Sequence, residues 1–257
     1  MAAQTANADL AKQGAANAGA ADADVGDAAT ENANSVIIDV ISDVVCPWCY
    51  IGKRRLERAL ATLHAREPEA AVTLRWHPFQ LNPELPREGV DRRAYLEAKF
   101  GGPQRAAQIY ARVAQAGRTV DIPFAFDAIA RQPNTLDAHR LIAWAQQQGD
   151  ADALVERLFR AYFLEGRFIG DRDELARIAG EAGYDAAQAQ AFLASQELME
   201  TTAASERQGR AMGVSGVPFI IFGGKVAVSG AQEPALLLDA LQQARAASSA
   251  QTAASTR

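Results

Sequence analysis

Two cysteines three positions apart, Cys46 and Cys49, are the only cysteines in this chain of 257 residues. The pair encloses Pro47 and Trp48, and it follows residues 36–41, a run rich in β-branched residues that predicts a buried strand. Proline is favoured in the first turn of a helix, so we expect a helix to begin after Cys46. A close cysteine pair between a strand and a helix is typical of thiol–disulfide exchange, and it constrains the fold more than any other feature.

The predicted position of Cys46 at a helix start favours a reactive thiol. Unpaired backbone N–H groups and the positive end of the helix dipole lower the pKa of a thiol placed there, and the thiolate is the nucleophile. Cys49 lies one helical turn further on, from which it can attack a mixed disulfide between Cys46 and a substrate. We therefore predict Cys46 and Cys49 as the catalytic pair, with Pro47 and Trp48 shaping the active site.

A structural disulfide and half of a zinc site are the alternatives for the cysteine pair. A disulfide that closes so short a loop removes little entropy from the unfolded chain, so it would stabilise the fold only weakly. Zinc usually has four ligands, but the sequence has no second cysteine pair, and His64, His77 and His139 stand alone. We therefore expect no metal and no bound cofactor, only the redox-active pair itself.

Composition limits the partners and the compartment. Hydrophobic residues make up 49% of the chain and charged residues 22%, which is typical of a soluble globular protein. A net charge of −5 argues against nucleic acid as a partner, and the lack of a run of 18 apolar residues argues against a membrane span. No segment resembles a secretory signal, so we expect a cytoplasmic protein, in which a close cysteine pair is more often catalytic or metal-binding than structural.

Hydrophobic periodicity divides the chain into five segments. Residues 1–34 are rich in alanine with few larger apolar side chains, which predicts a disordered extension, and residues 247–257 are predicted to be a disordered tail. Residues 35–82 carry a strand, a helix and a second, parallel strand, and residues 83–213 have helical periodicity. Residues 214–246 carry a β-hairpin with a Gly-Gly turn and a last helix. The prediction is an α/β fold in which an all-helical insertion separates β-α-β from β-β-α.

Several motifs resemble those of one protein family, and together they span about residues 35–246. These motifs are residues 43–52 (DVVCPWCYIG), 76–83 (WHPFQLNP), 134–141 (NTLDAHRL), 216–219 (GVPF) and 229–232 (SGAQ). The chain resembles the DsbA family of thioredoxin-like oxidoreductases. Within that family it is similar to the branch named after the frenolicin-type polyketide-biosynthesis dithiol–disulfide isomerase.

This resemblance implies a thioredoxin-like fold and assigns roles to individual residues. It implies that Cys46 is the nucleophile and Cys49 the resolving thiol. It also implies that Pro218 is a cis-proline opposite them, with Val217 beside it at the active site. Taken alone, the Val217-Pro218 pair indicates only a turn before a strand. Some members of the branch carry an extra C-terminal cysteine pair, which this sequence lacks, so we expect no second redox centre.

Other residues of the motifs have both a functional and a structural interpretation. His77 and Phe79 come at the carboxyl end of the second strand, the same edge as the cysteine pair, which makes them candidates for a substrate groove. For His77, a hydrogen-bonded structural role is the favoured interpretation. Asn134 and His139 are interpreted as a helix cap and as a core histidine with its hydrogen bonds satisfied. Residues 53–55 (Lys-Arg-Arg) are predicted to be a solvated helix face.

The sequence thus predicts a cytoplasmic thiol–disulfide oxidoreductase or isomerase. Its substrate is expected to be a protein or small molecule with a thiol or disulfide, its electron donor glutathione or a thioredoxin-type protein, and its state a monomer or homodimer. One alternative is a glutathione-dependent isomerase or transferase, similar to 2-hydroxychromene-2-carboxylate isomerases or kappa-type transferases, which have a serine where Cys46 stands. The other alternative is a redox-silent, holdase-like binding module, whose activity would survive loss of both cysteines.

Overall fold

The first strand leads directly to the cysteine pair. In a computed structural model, which describes residues 35–255, β1 (Ser35–Ser42) is followed by α1 (Pro47–Arg66) and β2 (Ala71–Pro78). The strand β2 lies parallel to β1 along its whole length, which confirms the predicted β-α-β unit. The predicted disordered extension, residues 1–34, lies outside the described residues.

The insertion consists mainly of helices, with one short two-stranded sheet. In chain order its elements are β3 (Val90–Asp91), α2 (Arg92–Phe100), α3 (Pro103–Arg118), a 3-10 turn (Phe126–Ala128), β4 (Arg131–Gln132), α4 (Leu136–Gln146), α5 (Asp152–Phe163), α6 (Arg172–Glu181), α7 (Ala186–Ala194) and α8 (Met199–Ala211). The prediction of helix throughout missed β3 and β4, which pair antiparallel. Two residues per strand are too few for an alternating pattern to show in the sequence.

A hairpin near the end of the chain completes the main sheet. It consists of β5 (Phe219–Phe222) and β6 (Val226–Ser229), and the strand order of the sheet is β2-β1-β5-β6. Gly223 and Gly224 both take positive φ, as the predicted Gly-Gly turn requires, because side chains are disfavoured in that conformation. Lys225 extends the loop to three residues before pairing resumes.

The last helix, α9 (Pro234–Ser255), packs against α1 and against the hairpin. The sequence predicted that this helix ends at Ala246 and that a disordered tail follows. Both predictions are wrong for the described residues, because the helix continues to Ser255. Alanine has the highest helix propensity, and the alanine-rich segment continues the helix. No helix in residues 35–255, α9 included, is long and apolar enough to cross a membrane.

The insertion contacts the sheet at its edge strand, β2, through α4 and α8. There the side chain of Gln146 accepts a hydrogen bond from the Trp76 N–H at 2.6 Å and donates one to the Trp76 carbonyl at 3.0 Å. An edge strand otherwise presents unpaired backbone groups. Gln146 therefore fixes the insertion to the end of β2 that lies nearest the cysteine pair.

Candidate active site

Cys46 is the N-cap of α1, and Pro47 is the first helical residue, as predicted. The Cys46 N–H donates to the carbonyl of Asp43 at 2.9 Å, which closes the turn between β1 and α1. The Cys46 carbonyl accepts from the N–H groups of Cys49 and Tyr50 at 3.0 and 3.3 Å. The sulfur of Cys46 is thus held at the helix start, beside the positive end of the helix dipole.

Both thiols are free and buried: 5% of Cys46 and 2% of Cys49 is exposed. Burial raises the pKa of Cys49 well above the usual value, and the neighbouring Cys46 raises it further. The Ser42 hydroxyl and the Asp43 N–H lower the pKa of Cys49, but by less. The two thiols therefore differ in electrostatic surroundings rather than in exposure.

The loop before β5 lies against the nucleophile. The Val217-Pro218 peptide bond is cis, as the resemblance implied, and the Cys46 thiol lies 3.7 Å from the Val217 carbonyl oxygen, to which it donates. Gly52 of α1 makes this approach possible, because a Cβ at that position would lie 2.9 Å from Cγ of Pro218. The sequence signal for this contact is Gly52 itself, a glycine inside a helix.

Two aromatic residues, Trp48 and Tyr110, differ in how they relate to Cys46. Trp48 is 41% exposed, so it presents apolar surface to solvent beside the active site. Tyr110 belongs to α3 of the insertion. Burial raises the pKa of its hydroxyl, Arg92, whose guanidinium lies 4.8 Å from the Tyr110 ring centroid, lowers it, and the charge of Cys46 raises it. Nothing local in the sequence connected Tyr110 with Cys46, since the two residues lie in different segments of the chain.

The two candidate groove residues, His77 and Phe79, both make contacts that indicate structural roles. The Nε2 atom of His77 lies 2.8 Å from Oδ1 of Asp39, a hydrogen bond that fits the favoured structural interpretation. Phe79 is buried in a small apolar cluster with Ile41 and Val214. A side chain so enclosed cannot line an accessible groove, so the prediction for Phe79 requires correction.

The predicted solvated face at residues 53–55 is also wrong. Only 2% of the Lys53 side chain is exposed, and its ammonium lies 2.9 Å from Asp152 and 3.5 Å from Glu156, while also pairing with Glu57. Arg54 pairs with Glu156 as well. Asp152 and Glu156 come from α5, which packs over α1, whereas Glu57 lies on α1 itself. No local pattern indicated which insertion helix would pack there.

The structural predictions for Asn134 and His139 have different outcomes. The Asn134 carbonyl oxygen accepts from the Leu136 N–H at 2.9 Å, so Asn134 helps to cap α4. His139 is buried, but its Nε2 makes no hydrogen bond of normal geometry within the described chain, and it lies 3.4 Å from Oδ1 of Asp43. The predicted core position of His139 is confirmed, but its Nε2 lacks the expected hydrogen bond within the described chain. Residues 35–255 contain no cluster of three or more His, Cys, Asp or Glu side chains arranged to hold a metal.

Other proteins share this architecture. A probable DsbA oxidoreductase from Streptomyces coelicolor is 30% identical, with a TM-score of 0.73 over 81% of this chain and 89% of that chain. The cytosolic disulfide reductase DsbM from Pseudomonas aeruginosa, in a structure with GSH, is 20% identical, with a TM-score of 0.54 over 84% of this chain and 98% of that chain. At that identity the likeness shows the shared fold alone.

Sequence relationships agree with the structural ones. The uncharacterized protein YwbO of Bacillus subtilis is 28% identical over 153 residues, which are 60% of this chain and 69% of that protein. The family model described as the DSBA-like thioredoxin domain matches residues 37–242, which include the cysteine pair, the whole insertion and the cis-proline loop. The chain therefore belongs to the family of DSBA-like thioredoxin domains.

Proposed function

We propose that this protein exchanges disulfides through the Cys46–Cys49 pair, with Cys46 as the nucleophile and Cys49 as the resolving thiol. One observation carries the proposal: the Cys46 sulfur lies at the start of α1 and 3.7 Å from the Val217 carbonyl, with Cys49 shielded behind it. Family membership supports thiol–disulfide oxidoreductase chemistry in general. The pair supplies the redox group itself, so the proposal needs no resident cofactor.

The exchange has two steps. The Cys46 thiolate attacks a substrate disulfide, forms a mixed disulfide and releases one substrate thiolate. Cys49 then loses its proton and attacks the Cys46 sulfur, which forms the Cys46–Cys49 disulfide and releases the second substrate thiolate. The substrate gains two electrons and the pair loses two. Glutathione or a thioredoxin-type protein then returns the pair to the dithiol form.

The surroundings of Cys46 favour an extended substrate. The Val217 N–H has no acceptor within the described chain, so it is available to an incoming strand in the manner of β-augmentation. The exposed ring of Trp48, two residues after Cys46, offers an apolar contact. We expect a disulfide-bearing segment of a protein, or a small disulfide, to contact these two groups. The roles of Val217, Pro218 and Trp48 are therefore to orient the substrate disulfide toward Cys46.

The direction of exchange follows from the compartment. We place the protein in the cytoplasm, as a monomer or homodimer without nucleic-acid or membrane partners. Cytosolic thiols are kept reduced, so reductase or isomerase activity is favoured there over oxidation of substrates. Within the family, the motifs at residues 43–52 and 76–83 support assignment to the frenolicin-type dithiol–disulfide isomerase branch.

An insulin-reduction assay with single-cysteine variants tests this function. The wild type is expected to accelerate reduction of insulin by dithiothreitol and by glutathione. Cys46→Ser is expected to lose the activity, whereas Cys49→Ser is expected to accumulate a covalent adduct with substrate, visible by mass spectrometry. Full activity in Cys46→Ser would contradict the proposal and favour the binding module. Turnover of glutathione with an aromatic electrophile by Cys49→Ser would favour the glutathione-dependent transferase.

A further inference from the structure

A groove of about 670 Å³ follows the outer edge of β2, and neither cysteine lines it. Every residue from Val72 to Pro78 contributes to the groove, so it runs along the strand rather than across it. Its walls come from α1, from α8, and from the segment that connects the end of α4 to the start of α5. The volume is typical of a ligand site, and the length matches an extended segment of about six residues.

The backbone of β2 presents unpaired hydrogen-bonding groups to this groove. The N–H and the carbonyl of Trp76 both point away from β1, because they pair with the side chain of Gln146. Alternate residues of a strand direct their backbone groups to the same side, so those of Val72 and Leu74 point away from β1 as well. Neither residue has another backbone partner in the part of the chain that the structure describes. The amide of Gln146 thus takes one position of an added strand and leaves two open.

Polar side chains of the groove walls also lack partners. Thr202 of α8 is 4% exposed, and its hydroxyl makes no hydrogen bond within residues 35–255. Asp152 binds Lys53 through Oδ2 at 2.9 Å, whereas its buried Oδ1 has no partner in the same residues. Buried polar groups in proteins are almost always hydrogen-bonded. A bound chain can supply a donor for Asp152 and a partner for Thr202.

The wall formed by the segment between α4 and α5 carries excess negative charge. Burial raises the pKa of Asp152, Lys53 lowers it, and the charges of Glu57 and Asp150 raise it. Asp150 is exposed, and no cation of the described residues pairs with it. In the cluster around Asp152, four carboxylates meet two cations: Asp150, Asp152, Glu57 and Glu156 against Lys53 and Arg54.

The other charged or titratable side chains that line the groove do not cancel this excess. Arg75 of β2 pairs with Asp39 at 2.8 Å, and His77 bonds to the same carboxylate. His64 of α1 bonds through Nε2 to the carbonyl of Ala70 at 3.1 Å. A positively charged side chain of an occupant is therefore complementary to the wall that carries Asp150.

A second copy of this chain does not fit the groove as its occupant. Two copies would have to meet through their β2 edges, and each edge lies between helices of its own chain. These helices would collide before the two strands reached the spacing of about 4.8 Å that pairing requires. A single extended segment with no sheet behind it meets no such obstacle.

We propose that this groove binds an extended segment of a partner protein, which adds a strand to β2 beside Val72 and Leu74 and places a basic side chain against Asp150 and Asp152. In this mode of recognition the main-chain hydrogen bonds supply affinity, and the side-chain contacts supply selectivity. The binding itself does not involve the cysteines.

The position of the groove suits a role in substrate retention. Pro78 ends β2, and the N–H of the next residue, Phe79, donates to the Ser42 carbonyl at 3.1 Å, four residues before Cys46. A polypeptide held along β2 is thereby kept beside the cysteine pair while its disulfide is exchanged. This role rests on the proposed function, and it identifies the substrate class as unfolded, basic protein chains rather than small disulfides.

Fluorescence anisotropy with a labelled, cysteine-free hexapeptide of alternating valine and lysine tests the binding. One comparison peptide has glutamate in place of lysine, and another has every backbone nitrogen methylated. Thr201→Trp fills the groove from an exposed position of α8, and Ala204→Trp, on the same helix but outside the groove, is its control. Asp150→Asn removes the charge but keeps the oxygen that accepts from the Asp152 N–H, and Asp127→Asn is its control.

We expect the wild type to bind the valine–lysine peptide and to bind both comparison peptides at least about tenfold more weakly, since two or more hydrogen bonds or a charge contact are lost. Thr201→Trp should abolish binding, and Asp150→Asn should weaken it by up to about fivefold. Ala204→Trp and Asp127→Asn should bind as the wild type does.

A kinetic comparison tests the role in retention. Scrambled ribonuclease is a basic, unfolded protein with disulfides, and dithiobis(nitrobenzoate) is a small disulfide. Thr201→Trp should raise KM for scrambled ribonuclease without changing kcat, and it should react with dithiobis(nitrobenzoate) at the wild-type rate. Equal KM values for Thr201→Trp and the wild type would refute the role in retention.

Four results would overturn the binding site. Two are a wild type that does not bind the valine–lysine peptide and an unchanged affinity in Thr201→Trp. The third is equal binding of the methylated peptide, which would exclude strand addition. The fourth is tighter binding after deletion of residues 1–34, or dissociation of a dimer by the peptide, which would make the occupant this chain itself. A wild type that binds the peptide but exchanges no disulfide would refute the proposed function alone.

Discussion

At the scale of single residues, Cys46 and Cys49 differ mainly in what surrounds their sulfur atoms. Both are buried, but Cys46 lies at the start of α1, whereas Cys49 lies behind it among apolar side chains. Burial raises the pKa of Cys49, and a neighbouring Cys46 thiolate opposes a second negative charge. Ionisation of Cys49 is therefore disfavoured in the reduced pair.

We expect alkylation at neutral pH to modify Cys46 first and to leave Cys49 largely unmodified. Because the pKa of Cys49 is raised, its thiolate is scarce at neutral pH and becomes more abundant only as the pH rises. Mass spectrometry after timed iodoacetamide treatment across pH measures both sites. In Cys46→Ser, labelling of Cys49 should still require alkaline pH, since burial is the larger cause of its shift. Preferential labelling of Cys49 in the wild type would contradict this assignment.

Gly52→Ala is expected to destabilise the protein, although alanine normally favours a helix. The added Cβ would lie 2.9 Å from Cγ of Pro218, a rigid and buried ring, and overpacking of this kind costs about 1–3 kcal/mol. Displacement of Pro218 should also slow disulfide exchange, because the same loop carries the Val217 carbonyl.

Gly209→Ala is the matched control for Gly52→Ala, measured by thermal unfolding and by the insulin assay. Gly209 is also inside a helix, α8, but a Cβ there would meet nothing within 4 Å. That variant should gain up to about 1 kcal/mol in stability. Equal effects of the two substitutions would show that contact with Pro218 does not matter.

At the scale of elements, α1 is held between the sheet and α5. Tyr50 of α1 stacks on Phe159 of α5, with ring centroids 4.9 Å apart, and its hydroxyl donates to Glu156 at 2.9 Å. Lys53 adds the buried ion pairs with α5 described above. The insertion thereby fixes the orientation of the helix whose first turn carries both cysteines.

Lys53→Met is expected to reduce the free energy of unfolding by about 2 kcal/mol. Removing one partner of a fully buried ion pair costs about 3–5 kcal/mol, and the cost is smaller here because the carboxylates that pair with Lys53 are partly exposed. Arg58→Met is the control: its pair with Asp121 is exposed on both sides, so the change should stay below about 1 kcal/mol. Urea unfolding measures both variants, and an unaffected Lys53→Met would show that apolar packing alone holds α5 on α1.

At the scale of the whole molecule, two sequence segments far apart build one candidate active site. β1 and α1 supply the cysteines, and the loop before β5 supplies Val217 and Pro218 from the other side of the insertion. The antiparallel pairing of β5 with β1 brings them together, since Phe219 lies opposite Ile41. The family match over residues 37–242 covers both segments and the insertion between them.

Deletion of residues 1–34 should leave folding and exchange unchanged. The segment has few larger apolar side chains with which to dock, and the family match begins only at residue 37. We expect the truncated protein to keep the melting temperature and the insulin-reduction rate of the full chain. A clear drop in melting temperature would show that this segment packs on the fold.

The local sequence was enough to predict the order of the main elements, and the prediction of the cysteine chemistry rests on it as well. Residues 36–41, the proline at the helix start and the Gly-Gly turn each act within a few positions, so their periodicity and turn preferences predicted β1, the start of α1 and the hairpin. Cys46 and Cys49 are three residues apart, so a single helical turn is enough to bring them close together. The cis-proline was predicted from the family resemblance, because the dipeptide alone indicated only a turn.

Only the tertiary structure decided which side chains near this end of the sheet are buried and what they contact. Lys53 was predicted to be solvated and is buried, Phe79 was a groove candidate and packs in an apolar cluster, and His139 was predicted to be satisfied and faces a small cavity. In each case the deciding neighbours come from distant positions. The hydrophobic pattern shows that a helix has an apolar face, but not which helix covers it, because packing partners are set by how the whole chain folds.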